Sequence, residues 1–240
     1  MRVLVAGDCG YSGAVLVPLF RGAGHEVEGL DLELYEGCDL GPAQPDATAQ
    51  GYVDMRNVTG AQLTAYGAST RLRLDIVVNN LTAVALTTGQ VRLESDGTAW
   101  RPLIHIEDIS RAFLAMLEAP RELVHDEAFN VGRAEDNVQI REIAGQVRDT
   151  VPGSEVTFAA NAGPDLRNYR VDFAKLNDTF PALSLRWTVR DGVAELLAAY
   201  TKYSLTYEDF TGSRFVRLRK IKELMAVGTI DDTLKRPAAD

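Results

Sequence analysis

A glycine-rich turn held between an apolar strand and an apolar helix constrains this chain more than any other feature. Met1-Arg-Val-Leu-Val-Ala6 is a short β-branched run that reads as a buried strand. Gly7-Asp-Cys-Gly10-Tyr-Ser-Gly13 follows, and then Ala14-Val-Leu-Val-Pro-Leu-Phe20, whose apolar density suits a buried helix stopped by Gly22 and Gly24. A second strand, Glu26-Val-Glu-Gly-Leu30, ends on Asp31. Each glycine has a physical task in such a unit: Gly7 permits the tight turn, Gly10 lets backbone N–H groups approach a pyrophosphate, and Gly13 lets helix and strand pack closely. The helix N-terminus adds partial positive charge for phosphates. Asp31 stands 18 residues past Gly13, near the ~20-residue offset of the acid that holds a ribose diol. Its negative charge repels a 2′-phosphate, so the expected ligand is NAD and not NADP.

The bulk numbers narrow the alternatives. The 240 residues suffice for one large domain, or one domain with a small lobe. A net charge of −9, from 25 basic and 34 acidic residues, disfavours non-specific binding to nucleic acid or to an anionic membrane. Two cysteines, Cys9 and Cys38, do not make a secreted-type disulfide framework, and Cys9 reads as a small residue tolerated in the turn. No apolar run approaches membrane-spanning length, and no signal segment precedes the first strand, so a cytoplasmic setting is expected. The scattered His25, His105 and His125 form no metal-ligand cluster in sequence.

The turn resembles that of the extended short-chain dehydrogenase/reductase family, the NAD-dependent nucleotide-sugar epimerases and dehydratases. Gly10-Tyr11-Ser12-Gly13 is similar to the family's Gly-Tyr-Ile-Gly, with Ser12 in an aliphatic position. The resemblance assigns cofactor contacts to Gly7, Gly10, Tyr11, Ser12, Gly13 and Asp31. It adds Asp54 and Met55 in Tyr52-Val-Asp-Met-Arg-Asn57, where a plain turn after a strand fits nearly as well. A second resemblance lies in Arg101-Pro-Leu-Ile-His-Ile-Glu-Asp108, which looks like the family's Arg-x-x-Ile/Val-His-Val-x-Asp. It gives Arg101 a sugar-nucleotide phosphate, to which an arginine fork donates two parallel hydrogen bonds. His105 is read there as a packed histidine and Asp108 as the cap of the next helix. Ala128-Phe-Asn-Val-Gly132 resembles a strand of the family. In Gly163–Lys175 the resemblance makes Arg167 a second phosphate contact and Asp165 its partner, with a salt-bridged surface loop as the alternative for both.

The chain departs from the family where its chemistry resides. Family catalysis moves a hydride to NAD while a tyrosinate, lowered in pKa by a lysine, takes a proton. None of the eight tyrosines has a lysine four residues on, and the nearest case, Tyr52 with Arg56, falls on a strand and turn where such residues do not meet. Thr64-Ala-Tyr-Gly67 already looks like the segment after the family's sixth strand, so roughly a hundred residues of a two-half fold have no counterpart. The expected fold is α/β: a Rossmann-like parallel sheet, reduced in strand number, with a smaller α/β substrate lobe. The expected boundaries are 1–67 with 101–132 for the dinucleotide part, 68–100 with 133–200 for the nucleotide-sugar lobe, and 201–240 for a tail. The tail's basic helix, Arg214–Met225, reads as a surface or subunit-contact helix. The expected function is that of an NAD-dependent epimerase/dehydratase-family protein lacking its acid/base pair, binding a sugar nucleotide as a homo-oligomer. The alternative is a non-catalytic NAD or sugar-nucleotide binding protein on a degenerate Rossmann fold. A third possibility is that the shortened chain has lost its cofactor site.

Overall fold

The computed structural model describes residues 1–31, 34–41 and 64–234. Asp54, Met55 and the expected strand around Tyr52 lie outside the described residues. β1 (Arg2–Ala6) and β2 (Glu26–Leu30) pair in parallel from Arg2↔Glu26 to Ala6↔Leu30, joined through α1 (Gly13–Gly22). β3 (Thr64–Tyr66) leads to α2 (Val77–Thr88), which Gly89 ends in the left-handed conformation, φ 73°. β4 (Gln90–Ser95) and β5 (Trp100–His105) precede α3 (Ile106–Glu118) and the short α4 (Arg121–Val124). Then come β6 (Asn137–Gln139), α5 (Ile140–Thr150), β7 (Glu155–Gly163), α6 (Ala174–Thr179), α7 (Val189–Lys202), α8 (Tyr207–Thr211) and α9 (Arg217–Ala226).

The fold is α/β with parallel strand pairs, but its sheet is divided. β3 pairs in parallel with β5, and β6 adds an antiparallel edge to β5. β4 and β7 form a separate parallel pair with an irregularity between Leu93 and Ser95. Among the described residues no strand joins β1–β2 to β3–β5. This alters one expectation. β1 is not a buried central strand: Val5 is buried, while Leu4 is 63% exposed. A parallel strand is buried on both faces only when neighbours and helices cover it.

Among the described residues two apolar clusters hold the chain. The smaller one packs Val5, Val17, Phe20 and Val27 with Leu114 and Leu117 of α3 against them. The larger draws on α2, α5 and α7, through Val78, Leu81, Ile143, Val147, Val193, Leu196 and Tyr200, and reaches Leu40 and Phe215 at its ends. Ala128–Gly132 is not a strand; the pairing segment is β6, and the helix expected from Val138 begins at Ile140. Gln139 and Glu142 form a capping box there, which displaces the helix start to the residue after Gln139. Among the described residues no helix is long and apolar enough to cross a membrane.

Candidate functional site

The glycine turn is built from its own backbone. Gly7 has φ +79°, a left-handed conformation that a side chain would strain. Its N–H donates to Leu30 O at 2.6 Å, fixing the end of β1 to the end of β2. Gly10 N–H donates to Gly7 O at 2.9 Å, and Ala14 N–H to Gly10 O at 3.0 Å as α1 begins. A Cβ on Gly13 would fall 2.2 Å from Gly7 O and 2.5 Å from Asp8 Cα. Gly13 therefore admits the turn against the start of α1, a tighter contact than the helix-to-strand packing expected of it. Ser12 precedes the helix without a capping bond from its side chain.

Tyr11 anchors the turn to the rest of the molecule. Its buried hydroxyl donates to Gly67 O at 2.7 Å, just past β3, and Ser69 Oγ donates back to Tyr11 O at 2.9 Å. Asn79 of α2 organises the same junction. Its Nδ2 donates to Gly67 O (3.2 Å) and Arg73 O (3.0 Å), and its Oδ1 accepts from Gly67 N–H (3.1 Å). Burial pushes the Tyr11 phenol far above its ordinary value. A buried asparagine in the apolar run Val77-Val-Asn-Asn-Leu81 was the one signal of this junction available in the sequence.

Asp8 and Asp31 face each other at the strand ends. Asp8 is buried, and its carboxylate lies so close to Gly29 that a Cβ there would sit 1.7 Å from Oδ2. Its Oδ1 has no hydrogen-bond partner. Burial first, and the charge of Asp31 second, raise the Asp8 pKa. Asp8, Cys9 and Asp31 bring one ligating atom each to within 4.8 Å of the others. This proximity was not legible in the sequence, because it depends on the register that sets Ala6 beside Leu30.

A cleft of about 1410 Å³ runs from the turn to the far lobe. It brings Gly7, Gly10, Tyr11 and Ser12 together with Arg101, Asp165 and Arg167 in one lining. Gly13 is buried beneath the turn, and Asp31 is partly buried beside Asp8 rather than in that lining. Arg101 is 8% exposed on β5. Its Nη2 donates to Asp165 at 2.6 Å, and its Nη1 to Trp100 O at 2.8 Å and to Arg167 O. Asp165 also accepts from the Arg167 side chain at 3.1 and 3.2 Å, and from its N–H at 2.9 Å. The Arg167 side chain, ahead of its backbone and of Arg101, holds the Asp165 carboxyl below its ordinary range. Two guanidiniums thus share one carboxylate and leave a net positive charge at the cleft wall.

His105 is packed. It stacks on Trp187 with ring centroids 3.8 Å apart and meets the Tyr66 edge at 5.2 Å. Glu107 N–H donates to Nδ1 at 3.2 Å, so Nε2 carries the proton and donates to Glu195 at 2.9 Å. His105, not Asp108, caps α3. The Asp108 carboxylate instead accepts from the N–H groups of Arg186 and Trp187 at 2.9 to 3.0 Å, tying the approach to α7 onto α3.

Known proteins resemble this arrangement in one segment and in fold. Residues 44–132 match the model of the NAD dependent epimerase/dehydratase family. The fold is similar to UDP-glucose 4-epimerase of Thermus thermophilus in complex with NAD, at 16% identity and a TM-score of 0.61, covering 84% of this chain and 99% of that one. It is also similar to UDP-glucuronic acid 4-epimerase of Bacillus cereus in complex with UDP-glucuronic acid and NAD, at 14% identity and a TM-score of 0.60, covering 84% and 99%. A third likeness is to dTDP-glucose 4,6-dehydratase of Bacillus anthracis in complex with NAD, at 12% identity and a TM-score of 0.60, covering 88% and 98%. At these identities the likeness speaks to the fold. The matched segment is similar to the NAD dependent epimerase/dehydratase family, and the fold is the one these solved structures share.

Proposed function

We propose that the chain binds NAD at the glycine turn and the phosphates of a sugar nucleotide at Arg101 and Arg167, and that it does so without the acid/base pair of its relatives. The single observation that carries this reading is the cleft itself, which joins Gly7, Gly10 and Ser12 to the Arg101–Asp165–Arg167 cluster. The turn suits a dinucleotide in its shape, with the Gly7 and Gly10 N–H groups spent within the turn. Gly10 and Gly13 leave its backbone free of side chains, α1 starts directly behind it, and Asp31 closes β2 as an acceptor for a ribose diol. Asp54 and Met55 belong to the same proposal as adenine-side contacts. Bound NAD supplies a hydride acceptor. The chain's own residues hold the ligands.

Among the described residues two tyrosines line the cleft, and neither is a proton acceptor at neutral pH. Tyr11 spends its proton on Gly67 O, and burial raises its pKa. Burial also raises Tyr35, with Arg217 partly opposing that rise. No lysine stands four residues after either. Self-association on the side of β1, where Met1 and Leu4 are exposed, belongs to the same reading. The test incubates the full chain with NAD and UDP-glucose or UDP-glucuronic acid, following binding by calorimetry and products by chromatography. The expected result is saturable binding with no epimerised or dehydrated sugar. Turnover would overturn the absence of an acid/base pair, and failure of both ligands to bind would overturn the whole reading.

A further inference from the structure

The basic run of the tail is not wholly a solvated face. Phe215, just before α9, is 1% exposed, and its carbonyl accepts from Leu74 N–H at 2.8 Å. Arg214 donates to Asp39 O at 2.6 Å, and Asp39 in turn pairs with Arg71 at 3.1 Å. Arg71 also donates to Tyr35 O. These contacts bring the first turn of α9 onto residues 34–41, so that the Arg217 guanidinium lies 3.5 Å from the centre of the Tyr35 ring. Tyr35, Arg73, Asp75 and Arg217 line the same cleft as Gly7, Gly10 and Ser12.

Among the described residues the charges on this wall do not balance. Arg71 is paired with Asp39, and Arg73 with both oxygens of Asp75 at 2.9 Å. Among the described residues Arg217 has no carboxylate within ion-pair distance; its polar contact is Arg71 O at 3.5 Å. A partly buried guanidinium without a counter-ion is costly unless a ligand supplies the negative charge. The nearby turn offers a helix N-terminus, which prefers the same kind of ligand. A planar guanidinium also matches phosphate oxygens better than an ammonium does.

We propose that Arg217, delivered by the C-terminal helix and held over the Tyr35 ring, is a phosphate-binding residue of the nucleotide site at the glycine turn. The proposal rests on the reading that NAD occupies that turn. It makes the tail part of the ligand site.

Calorimetry with NAD, inorganic pyrophosphate and adenosine on the wild-type chain, Arg217→Gln and Arg217→Lys tests it, with thermal unfolding as the check on folding. The expected result is about tenfold weaker binding of NAD and of pyrophosphate to Arg217→Gln, with adenosine unchanged. Arg217→Lys, which keeps the charge but loses the planar fork over Tyr35, should fall between wild type and Arg217→Gln. Arg217→Met preserves the stem over Tyr35 and replaces the glutamine variant if the latter loosens the tail. Equal NAD affinity in wild type and a folded neutral variant would overturn the proposal while leaving the proposed function standing. Arg217-dependent pyrophosphate binding without NAD binding would sink the proposed function and sustain the phosphate site. Binding of neither would sink both.

Discussion

Asp8 stands where a carboxylate is least comfortable, buried at the ends of two strands, with one oxygen unpartnered and Asp31 opposite. Its folded pKa is raised above the ordinary carboxylate value of about 3.9. The folded chain therefore binds more proton than the unfolded chain above pH ~4, and this group's contribution to stability falls as pH rises through its folded pKa. Asp8→Asn should raise the melting temperature at pH 7, and the gain should shrink as pH is lowered to ~4. Thermal unfolding of both proteins across that range checks it; a variant less stable than wild type at every pH would contradict it. Gly7, Gly10, Gly13 and Asp31 were legible in sequence because turn chemistry and strand spacing are local. Asp8 was not, since its burial depends on Gly29 leaving room on the neighbouring strand. Arg217 was hidden for the same reason: nothing within the tail says that it meets Tyr35.

Helices were the easiest elements to read and their starts the hardest. The segment Val189–Tyr200 is helical as its apolar spacing required, extending to Lys202. Its start is fixed by Thr188 and Asp191, whose side chains satisfy each other's backbone N–H groups at 3.2 Å. Thr188→Ala should cost about 1 kcal/mol of unfolding free energy, with the denaturant slope unchanged. Urea titration decides between that and no effect, which would mean that packing alone sets this helix. Asp108 shows how an element boundary can mislead. A helix-starting aspartate reads as a cap, yet His105 takes that place, and the aspartate reaches two N–H groups 78 and 79 positions away. Ala128–Gly132 has strand-like residues but finds no partner among the described strands, because β6 already covers the edge of β5.

At the scale of the molecule, a strand–turn–helix–strand unit and a second lobe share one cleft although their strands share no sheet among the described residues. Tyr11, Ser69, Asn79 and Gly67 make the junction instead, with hydrogen bonds of 2.7 to 3.2 Å. The fold class followed from the opening unit and the Arg101 motif. The division of the sheet did not, since pairing is a non-local property that no periodicity encodes. On this reading the adenine-side half of the site works without the acid/base half. Titration of NAD into the intact chain and into Asp31→Ala, by calorimetry, tests it most directly. Saturable one-to-one binding is expected, weakened by about tenfold when the carboxylate is removed. No heat of binding at millimolar NAD, or equal affinity in the two proteins, would contradict it.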